Sequence, residues 1–472
     1  MAARASTKKS VPDVPRPAKP ISSFYRWELL ALLFLAYFFH QSDRAIYGVV
    51  ATSIKSEFHL SDQTLYATRT IMFALMALVV PLAGFVGDKA NKRKLLIGCL
   101  FCWSAATLLT GASWSVLALI LFNSVGLVVA EAFYGPASTS LIASYHKETR
   151  SLALSIHQTA VYLSVIFCGL VGGWLSERLS WRAAFWTFGA ISVLIGCLLI
   201  WRLRDPAKDG GSSENASNKQ DAKSSGDKVS VGEFLGMIFR NPSALCLTVG
   251  FTAIVFVNNA YLNVVPKFLQ DRFALTPTSA GFHGMFWHHI AALIFIFVGA
   301  SLSDRVSRRF PTFRPKLQCL AMALGVPVVA AMGRAGSPEA LFGLFFLMGV
   351  CRGFYECNTH AAVFETVPAK YRSTTVGFMI MFAFLIGSWS AQMVGACVDS
   401  AVAASVAELG EEAGRAQGYV DGYRTAFAAL SCAWLIGAVC VGVAAFGTFA
   451  KDRQKRIDAE AAANATSAET AA

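Results

Sequence analysis

The chain has 472 residues, of which 55% are hydrophobic and 15% are charged, and its formal net charge is +12. A soluble domain carries about 25% charged residues, so the composition argues against one and is typical of a polytopic membrane protein. The basic residues cluster in particular loops, which indicates membrane topology and not nucleic-acid binding.

Apolar runs of about 20 residues recur along the chain, and each is long enough to cross a hydrocarbon core of about 30 Å. Six runs precede a polar central stretch and six follow it. They predict helices over residues 27–51, 63–86, 95–113, 115–144, 152–176, 182–203, 244–269, 280–303, 316–334, 338–364, 373–397 and 423–447. The predicted fold is therefore an all-α integral membrane protein of twelve transmembrane helices in two six-helix bundles.

The polar stretches around these runs divide the chain into five parts. The central stretch is rich in Gly, Ser, Asn and Lys, which is typical of a flexible linker. Residues 231–239 at its end predict a short amphipathic helix at the membrane surface. The predicted parts are a disordered tail (1–25), an N-terminal bundle (26–203), a linker (204–243), a C-terminal bundle (244–450) and a second disordered tail (451–472).

Basic residues mark one side of the predicted membrane. They concentrate in the N-terminal tail, the linker and residues 89–94, 305–316 and 451–456, which all fall on one side when the helices number twelve. By the positive-inside rule this side is the cytoplasm. We therefore expect both termini to be cytoplasmic and the protein to lie in the cytoplasmic (inner) membrane.

Two loops carry the same pattern of charges, one in each half of the chain. "GFVGDKANKRK" (84–94) follows the second predicted helix, and "GASLSDRVSRRF" (299–310) follows the eighth. The stretches "EAFYGPAS" (131–138) and "RGFYECNT" (352–359) echo each other at nearly the same spacing. These matches predict a duplicated six-helix unit. The matching loop residues are Asp88 with Asp304, Lys89 with Arg305, and Arg93 with Arg309.

On these motifs the chain resembles the major facilitator superfamily. The signature loop of that family, between helices 2 and 3, is matched by Gly84, Asp88, Lys89 and Arg93. The resemblance implies a secondary active transporter that alternates access by rocking its two halves. It further implies that loop charges latch the outward-open state by pairing with helix ends, whereas the alternative is ordinary surface ion pairs. The predicted gating residues are Gly84, Asp88, Lys89, Arg93, Asp304, Arg305 and Arg309.

Within the superfamily two groups are similar to this chain. Asp43-Arg44 in helix 1 and Glu131 in helix 4 resemble the anion:cation symporters, in which matching carboxylates are proton sites and the matching Arg binds the substrate carboxylate. The loop after helix 2, with "EAFYGPASTSLI", resembles the Spinster-like lipid transporters. Both groups carry an Arg about two turns before the helix 4 Glu, where this chain has Asn123-Ser124. Either another Arg completes the anion site or the substrate class differs.

Ionisable residues inside membrane helices usually face a polar cavity, and each is a functional hypothesis. We therefore predict that Asp43 and Glu131 couple protons and that Arg44 binds substrate, although a static pair holding helix 1 to a neighbour is the alternative. Arg352, Glu356 and His360 are spaced four apart and share one face of a continuous helix 10. They predict an anion-binding Arg with two proton-coupling partners, or else an interhelical clamp.

Further polar residues in the predicted helices are candidate substrate ligands, because amides and phenols hydrogen-bond the hydroxyls of a polyol or sugar acid. The alternative is that they form interhelical hydrogen bonds, or, for Arg69, that the side chain snorkels to the membrane surface. Three histidines of helix 8, His283, His288 and His289, are predicted to be interfacial. The candidate ligands are Arg69, Tyr134, His157, Asn258, Asn259, Tyr261, Asn358 and Trp389.

The sequence as a whole predicts a transporter and not an enzyme, because no catalytic, nucleotide-binding or metal-binding motif appears in it. We expect a monomer in the lipid bilayer that needs no cofactor or metal, binds no nucleic acid, and moves a small organic anion such as a sugar acid by proton symport. Sodium coupling stays open. The alternatives are a Spinster-type exporter of lysolipids or other amphiphiles, and a transporter-like receptor that binds solute without turnover.

Overall fold

The computed structural model describes residues 23–87, 91–146, 149–204 and 231–471, which form helices joined by short turns. The prediction of an all-α fold is confirmed. The helices of the N-terminal half are α1 (Ser23–Val49), α2 (Ala51–Phe58), α3 (Asp62–Gly87), α4 (Lys92–Gly111), α5 (Val116–Leu119), a π-helix (Ile120–Gly126), α6 (Leu127–Tyr145), α7 (Arg150–Arg178) and α8 (Trp181–Arg202).

The C-terminal half repeats this order after a short helix that precedes it. Its helices are α9 (Val231–Phe239), α10 (Pro242–Phe273), α11 (Pro277–Ser307), α12 (Phe313–Met332), α13 (Pro338–Glu356), α14 (Thr359–Phe364), α15 (Arg372–Gly387), α16 (Trp389–Leu409), α17 (Glu411–Val443), a π-helix (Ala444–Thr448) and α18 (Phe449–Ala471). Asn241 and Ser337 begin α10 and α13 by accepting a hydrogen bond from a backbone N–H of the first turn.

Eleven segments of the described residues are long and apolar enough to cross a membrane. Helix α1 is not among them, although it has 27 residues, because the run His40–Arg44 lowers its mean hydropathy. Its apolar part packs against α7 and α8, so α1 completes twelve spans. We call the side on which α1 and α10 begin the terminal face and the side on which α3 and α11 begin the far face.

Two predictions concern the chain outside the bundles, and their outcomes differ. The short helix expected at 231–239 is present as α9. The prediction of a disordered tail over 451–472 is wrong for the described residues, since α18 is helical from Phe449 to Ala471. Asp452 anchors it by accepting hydrogen bonds from the backbone N–H and the hydroxyl of Ser243. Residues 1–22 and 205–230, which hold the other tail and most of the linker, lie outside the described residues.

The two halves pack closely at the far face, and glycines allow this approach. Helices α7 and α11 meet at Gly169 and Gly281, where a Cβ built on either residue would lie 2.2–2.3 Å from the carbonyl oxygen of the other. Gly48 of α1 and Gly395 of α16 make similarly close backbone approaches to α10 and to the start of α3. The far face is therefore closed by backbone contacts that no larger residue allows.

The glycine contact between α7 and α11 gives a first prediction. A Gly281→Ala variant should lower the melting temperature by several degrees, because its methyl group meets the Gly169 carbonyl and the helices must separate. Gly343→Ala is the matched control, since a Cβ at this helical glycine meets no atom within 4 Å. Thermal melts of both purified variants measure the effect, and equal melting temperatures would contradict the account.

Candidate functional site

Two arginine–glutamate pairs lie at the level where the halves meet. In the N-terminal half, Nη1 of Arg44 on α1 donates to Oε1 of Glu131 on α6 at 3.0 Å. The Arg44 guanidinium also lies over the ring of Phe73, 4.9 Å from its centroid, and 5.7 Å from the ring of Phe384 in the other half. The Arg44 side chain is 17% exposed and that of Glu131 is 8% exposed, so the pair is partly accessible and has an aromatic surface beside it.

The second pair lies in the C-terminal half, on α13. Nε of Arg352 donates to Oε1 of Glu356 at 2.7 Å, and the other carboxylate oxygen of Glu356 accepts from the hydroxyl of Tyr162 on α7 at 2.6 Å. Nη1 of Arg352 donates to Oδ1 of Asn258 at 2.7 Å and lies 3.1 Å from Nε2 of His288. The pair therefore links four helices of both halves, and the prediction that His288 is interfacial is wrong because this ring is fully buried.

Each of these two arginines has an Nη2 that is free, and Arg44 also has a buried Nε without a partner among the described residues. Within the part of the chain that the structure describes, Nη2 of Arg44 and Nη2 of Arg352 have no hydrogen-bond partner, and neither is buried without one. A guanidinium edge with free N–H donors is a recognition group for carboxylate and phosphate oxygens. The two pairs thus present two cationic edges, each balanced by a glutamate that an incoming anion would have to displace or share.

Arg69 on α3 behaves differently, because all three of its nitrogens are bonded. Nε donates to Asn263 of α10 at 3.0 Å, Nη1 to Asn123 at 2.6 Å, and Nη2 to the carbonyl oxygen of Arg44 at 2.9 Å. Its side chain is fully buried over the ring of Tyr47. Arg69 is a link between helices of both halves, and because it is fully buried it has no accessible edge for the substrate that the sequence assigned to it.

The π-helix in the fourth span explains how Asn123 reaches Arg69. A π-bulge widens the helix by one residue and is frequent at functional sites. Here Asn123 accepts from Arg69, and Ser124 donates to the carbonyl oxygen of Thr68 at 2.7 Å. Asn123 lies where the resemblance led us to expect an Arg. In this chain that position is instead an acceptor for Arg69 of α3.

Asp43 lies next to Arg44 in the sequence, but its side chain points to another helix. Its Oδ2 accepts from the hydroxyl of Thr107 on α4 at 3.0 Å, and Trp103 of the same helix is a second hydrogen-bonding neighbour of the carboxyl. The side chain is 1% exposed. Asp43 and Arg44 therefore contact different neighbours of α1, and the alternative that they hold helix 1 in place stays open beside the coupling role.

The asparagines of α10 join both clusters. Asn258 accepts from Arg352 of its own half, whereas Asn263 accepts from Arg69 of the other half. Asn259 lies between them, with its carbonyl oxygen accepting from Asn263 and its side chain against Gly387. Tyr261 is buried and donates to the carbonyl oxygen of Gly284. Asn258 is the member of this set that contacts Arg352, the arginine whose Nη2 is free.

Several predicted ligands lie away from the two pairs. Tyr134 is buried and donates to the carbonyl oxygen of Leu33, and His157 is buried in a stack on the ring of Tyr37. Trp389 is 59% exposed and lies with Leu385 and Ile386 on one apolar outer stripe of the eleventh span, as expected for contact with lipid. These placements favour packing roles for the first two residues and a lipid-facing role for the third.

The tenth span is broken immediately after the Arg352–Glu356 pair. Helix α13 ends at Glu356 and α14 begins at Thr359, so the prediction that His360 continues the same face of one helix is wrong. Asn358, at the break, is buried and bonded to Ser303 and Arg314, not to either cluster. His360 is exposed and stacks loosely on Phe364.

The loop motifs lie at the terminal face, and the described part of them makes contacts within each half. Arg93 donates to the carbonyl oxygens of Ile200 and Leu203 at the end of α8. Asp304 accepts from Arg314, and Arg314 also pairs with Glu365 beyond α14. Arg305 and Arg309 are exposed. Asp88 and Lys89 lie outside the described residues and Gly84 is within α3, so the latch stays a prediction.

An ionic cluster at the far face was missed in the sequence. Lys267, on α10 and 1% exposed, pairs with Asp271 one turn away and with Asp62 of the other half at 3.1 Å. Asp62 also pairs with Lys55 at 2.9 Å. The carboxylate of Asp399 on α16 accepts from the backbone N–H groups that begin α3. The i, i+4 spacing of Lys267 and Asp271 inside an apolar run was the available signal.

A second charged contact at the far face involves Glu57 near the end of α2. Its carboxylate accepts from Arg182 and from the indole N–H of Trp181 at the start of α8. Arg182 lowers the pKa of Glu57, and the indole contributes in the same direction. The far face is thus held by ionic contacts within and between the halves.

The position of Arg69 predicts a large loss of stability on its removal. Arg69→Gln should lower the free energy of unfolding by about 3 kcal/mol or more, because several buried acceptors lose a charged donor. Arg334→Gln is the control, since Arg334 is exposed and bonds only the carbonyl oxygen one turn before it among the described residues. Chemical unfolding in detergent measures both variants, and equal stability would refute the role of Arg69 as a link.

The far-face cluster predicts a change of conformation. Lys267→Met leaves Asp62 and Asp271 close together without their shared cation, and their repulsion should open the far face. Spin labels at exposed Ser56 and Glu408, one on each half, should then report longer distances. Lys370→Met, which removes a pair at the terminal face, should leave the distances unchanged. An unchanged distribution in Lys267→Met would show that the cluster does not hold the halves together.

Comparison with known proteins places these features in a family. Residues 33–391 match the sequence profile of the Major Facilitator Superfamily. An MFS-type efflux pump of Mycolicibacterium smegmatis is 27% identical over 384 residues, covering 79% of this chain and 85% of that protein. Protein spinster homolog 1 of Rattus norvegicus is 25% identical over 370 residues, covering 73% and 67%.

Among solved structures, the chain is similar in fold to a bacterial homolog of the human lysosomal transporter Spinster, crystallised in an inward-facing and unoccupied conformation. The TM-score is 0.77 at 22% identity, over 92% of this chain and 99% of that one. Because the family profile matches most of the chain, this protein is an integral membrane transporter, not an enzyme, and belongs to the Major Facilitator Superfamily.

Proposed function

We propose that the protein is a proton-coupled transporter of a small organic anion, which binds between its two halves at Arg44 and Arg352. The observation that carries this proposal is the free Nη2 edge of each arginine, set against the fully bonded Arg69. A buried cation that exists for packing is expected to have an acceptor at every nitrogen, as Arg69 has. Arg44 and Arg352 each keep a donor free beside a glutamate that an anion could displace, so they are suited to bind an anion.

Alternating access is supported by where the halves touch. Every described ion pair or hydrogen bond between them lies at the far face or near mid-membrane, including Lys267–Asp62, Thr70–Gln392 and Tyr162–Glu356. We assign the terminal face to the cytoplasm from its basic loops, as the positive-inside rule requires. The structure then corresponds to a state open toward the cytoplasm, and the opposite state requires the far-face contacts to break.

Proton coupling is proposed to follow from competition at the glutamates. An anion that binds Nη2 of Arg44 withdraws positive charge from Glu131, and protonation of Glu131 then removes the remaining unpaired charge. Asp43 is a second candidate, because it is buried with no cationic partner among the described residues and a proton there would neutralise the group. Glu356 has the corresponding place beside Arg352. Sodium as the coupling ion is an outcome of the tests below.

The side chains around Arg44 indicate what kind of anion the site could bind. Phe73 and Phe384 stack at 5.9 Å between the halves, and Met72 and Met76 are buried beside Phe73. A cation against an aromatic surface accommodates an anion that carries an apolar body as well as one that is fully polar. This favours an amphiphilic anion such as a lysolipid as the second candidate beside a sugar acid, and the Spinster relatives support it.

The substrate class is tested by thermal stabilisation of the purified protein with gluconate, glucose and lysophosphatidylglycerol at pH 5.5 and 7.5. One of the two anions should raise the melting temperature of wild type, because a ligand of the folded state stabilises it by about 2.7 kcal/mol at 100 times its Kd. Arg44→Ala and Arg352→Ala should lose the shift, whereas exposed Arg334→Ala should keep it. Stabilisation by glucose alone, or equal shifts in all variants, would contradict an anion site.

Coupling is tested in proteoliposomes with a pH-sensitive dye inside. Addition of the stabilising anion should move protons across the membrane with wild type, and Glu131→Gln should abolish this movement while keeping anion binding, because Gln accepts from Arg44 but takes up no proton. Glu57→Gln, at the far face, is the control. Proton movement at the wild-type rate in Glu131→Gln would exclude Glu131 as the coupling residue, and a signal that depends on sodium would replace the proton.

A further inference from the structure

His288 on α11 makes a contact that fixes its own protonation state. Its Nε2 lies 3.1 Å from Nη1 of Arg352, and the ring is fully buried. A guanidinium has five N–H donors and no acceptor. Nε2 must therefore accept the hydrogen bond, so the ring is neutral and carries its proton on Nδ1, with the backbone of Phe345 as its neighbour.

The packing around His288 leaves the ring little freedom. It lies 4.3 Å from the ring of Tyr261 on α10. A Cβ at Gly349 of α13 would be 2.2 Å from the His288 carbonyl oxygen, so α11 and α13 are in backbone contact at this level. The neighbouring His289 is turned away, because its Nδ1 donates to the carbonyl oxygen of Met285 at 2.8 Å.

The acceptors on Arg352 come from three helices and determine which edge stays free. Glu356 of α13 accepts from Nε, whereas Asn258 of α10 and His288 of α11 both accept from Nη1. Two acceptors on one nitrogen fix the plane of the guanidinium and direct Nη2 away from them. Without His288 the guanidinium keeps its bonds to Glu356 and Asn258 but can tilt about them, and the donor geometry for a ligand changes.

We propose that His288 is a positioning residue for Arg352, a permanently neutral acceptor that orients the free Nη2 edge toward the anion. This rests on the proposed function in so far as Arg352 binds the substrate. The charged and titratable groups around the ring are Arg352 and Glu356 on α13, Tyr162 on α7, Tyr261 on α10 and His289 on α11.

The binding test uses two substitutions of His288 that differ in one property. Gln places an amide oxygen near the position of Nε2 and does not titrate, whereas Leu fills similar space without an acceptor. At pH 7.5, His288→Leu should weaken binding of gluconate or lysophosphatidylglycerol, whichever stabilises wild type, by about tenfold, since a hydrogen bond to a charged group is lost. His288→Gln and the control His289→Gln should stay within about twofold of wild type.

A double-mutant cycle separates positioning from general packing. In an Arg352→Ala background, His288→Leu should have no further effect on binding, because the group it orients is gone. An equal loss in both backgrounds, equal losses for Gln and Leu, or no loss for Leu would each overturn the proposal.

A measurement without ligand keeps the proposal testable if no anion binds. Nitrogen-15 NMR of the full-length protein in nanodiscs, labelled at the histidine rings, should show an unprotonated Nε2 signal at pH 7.5 that His288→Gln removes and Arg352→Ala shifts. A protonated Nε2, or a signal that ignores Arg352, would overturn the role of His288. If neither anion binds wild type, or binding survives Arg352→Ala, the proposed function fails while the NMR result still decides the role of His288.

Discussion

A charge inside the membrane must be paired or reached by water, and the arrangement of this transporter depends on how three arginines within its spans meet that constraint. Arg69 satisfies every nitrogen with protein acceptors and links helices of both halves. Arg44 and Arg352 are each satisfied in part by a glutamate and keep one edge open. The difference between a structural and a ligand-binding arginine is thus a difference in how many donors the fold has already engaged.

The same constraint explains why the two halves hold together on one side. Lys267 is almost completely buried, and its charge is tolerated because Asp271 and Asp62 surround it. One of these partners belongs to the opposite half, so neutralising the lysine also closes the far face. Backbone contacts at Gly169 and Gly281 bring the helices close enough for such short-range pairs to form. Opening this face would cost both the glycine packing and the ionic pairs, a cost that substrate binding in the opposite state would have to offset.

Much of the fold was predictable from the sequence, because long apolar runs in a membrane leave few alternatives to helices. The separation of Asp43 from Arg44 was also predictable, since adjacent residues on a helix point about 100° apart. The partners of Lys267 were not, because Asp62 lies some 200 positions away and no local pattern connects them. The break after Glu356 is equally invisible to periodicity, and it turned one predicted face of three residues into a pair and a separate histidine.

Tertiary context also decided which polar residues reach the interface between the halves. Tyr134 lies less than one turn after Glu131, yet its hydroxyl is buried against Leu33 while the carboxylate meets Arg44. Asn258 and Asn259 are neighbours, but one binds Arg352 and the other packs on Gly387. Residue type indicated that such groups face a polar environment, whereas the rotation of each helix, set by its packing, determined which environment it is.

The most direct test of the account is a structure of the protein with its stabilising anion bound, gluconate or lysophosphatidylglycerol, determined by single-particle cryo-electron microscopy. We expect the anionic group within hydrogen-bond distance of Nη2 of Arg44, Arg352 or both, with the Arg69 contacts unchanged. A ligand bound elsewhere, with both arginines closed onto their glutamates, would contradict it.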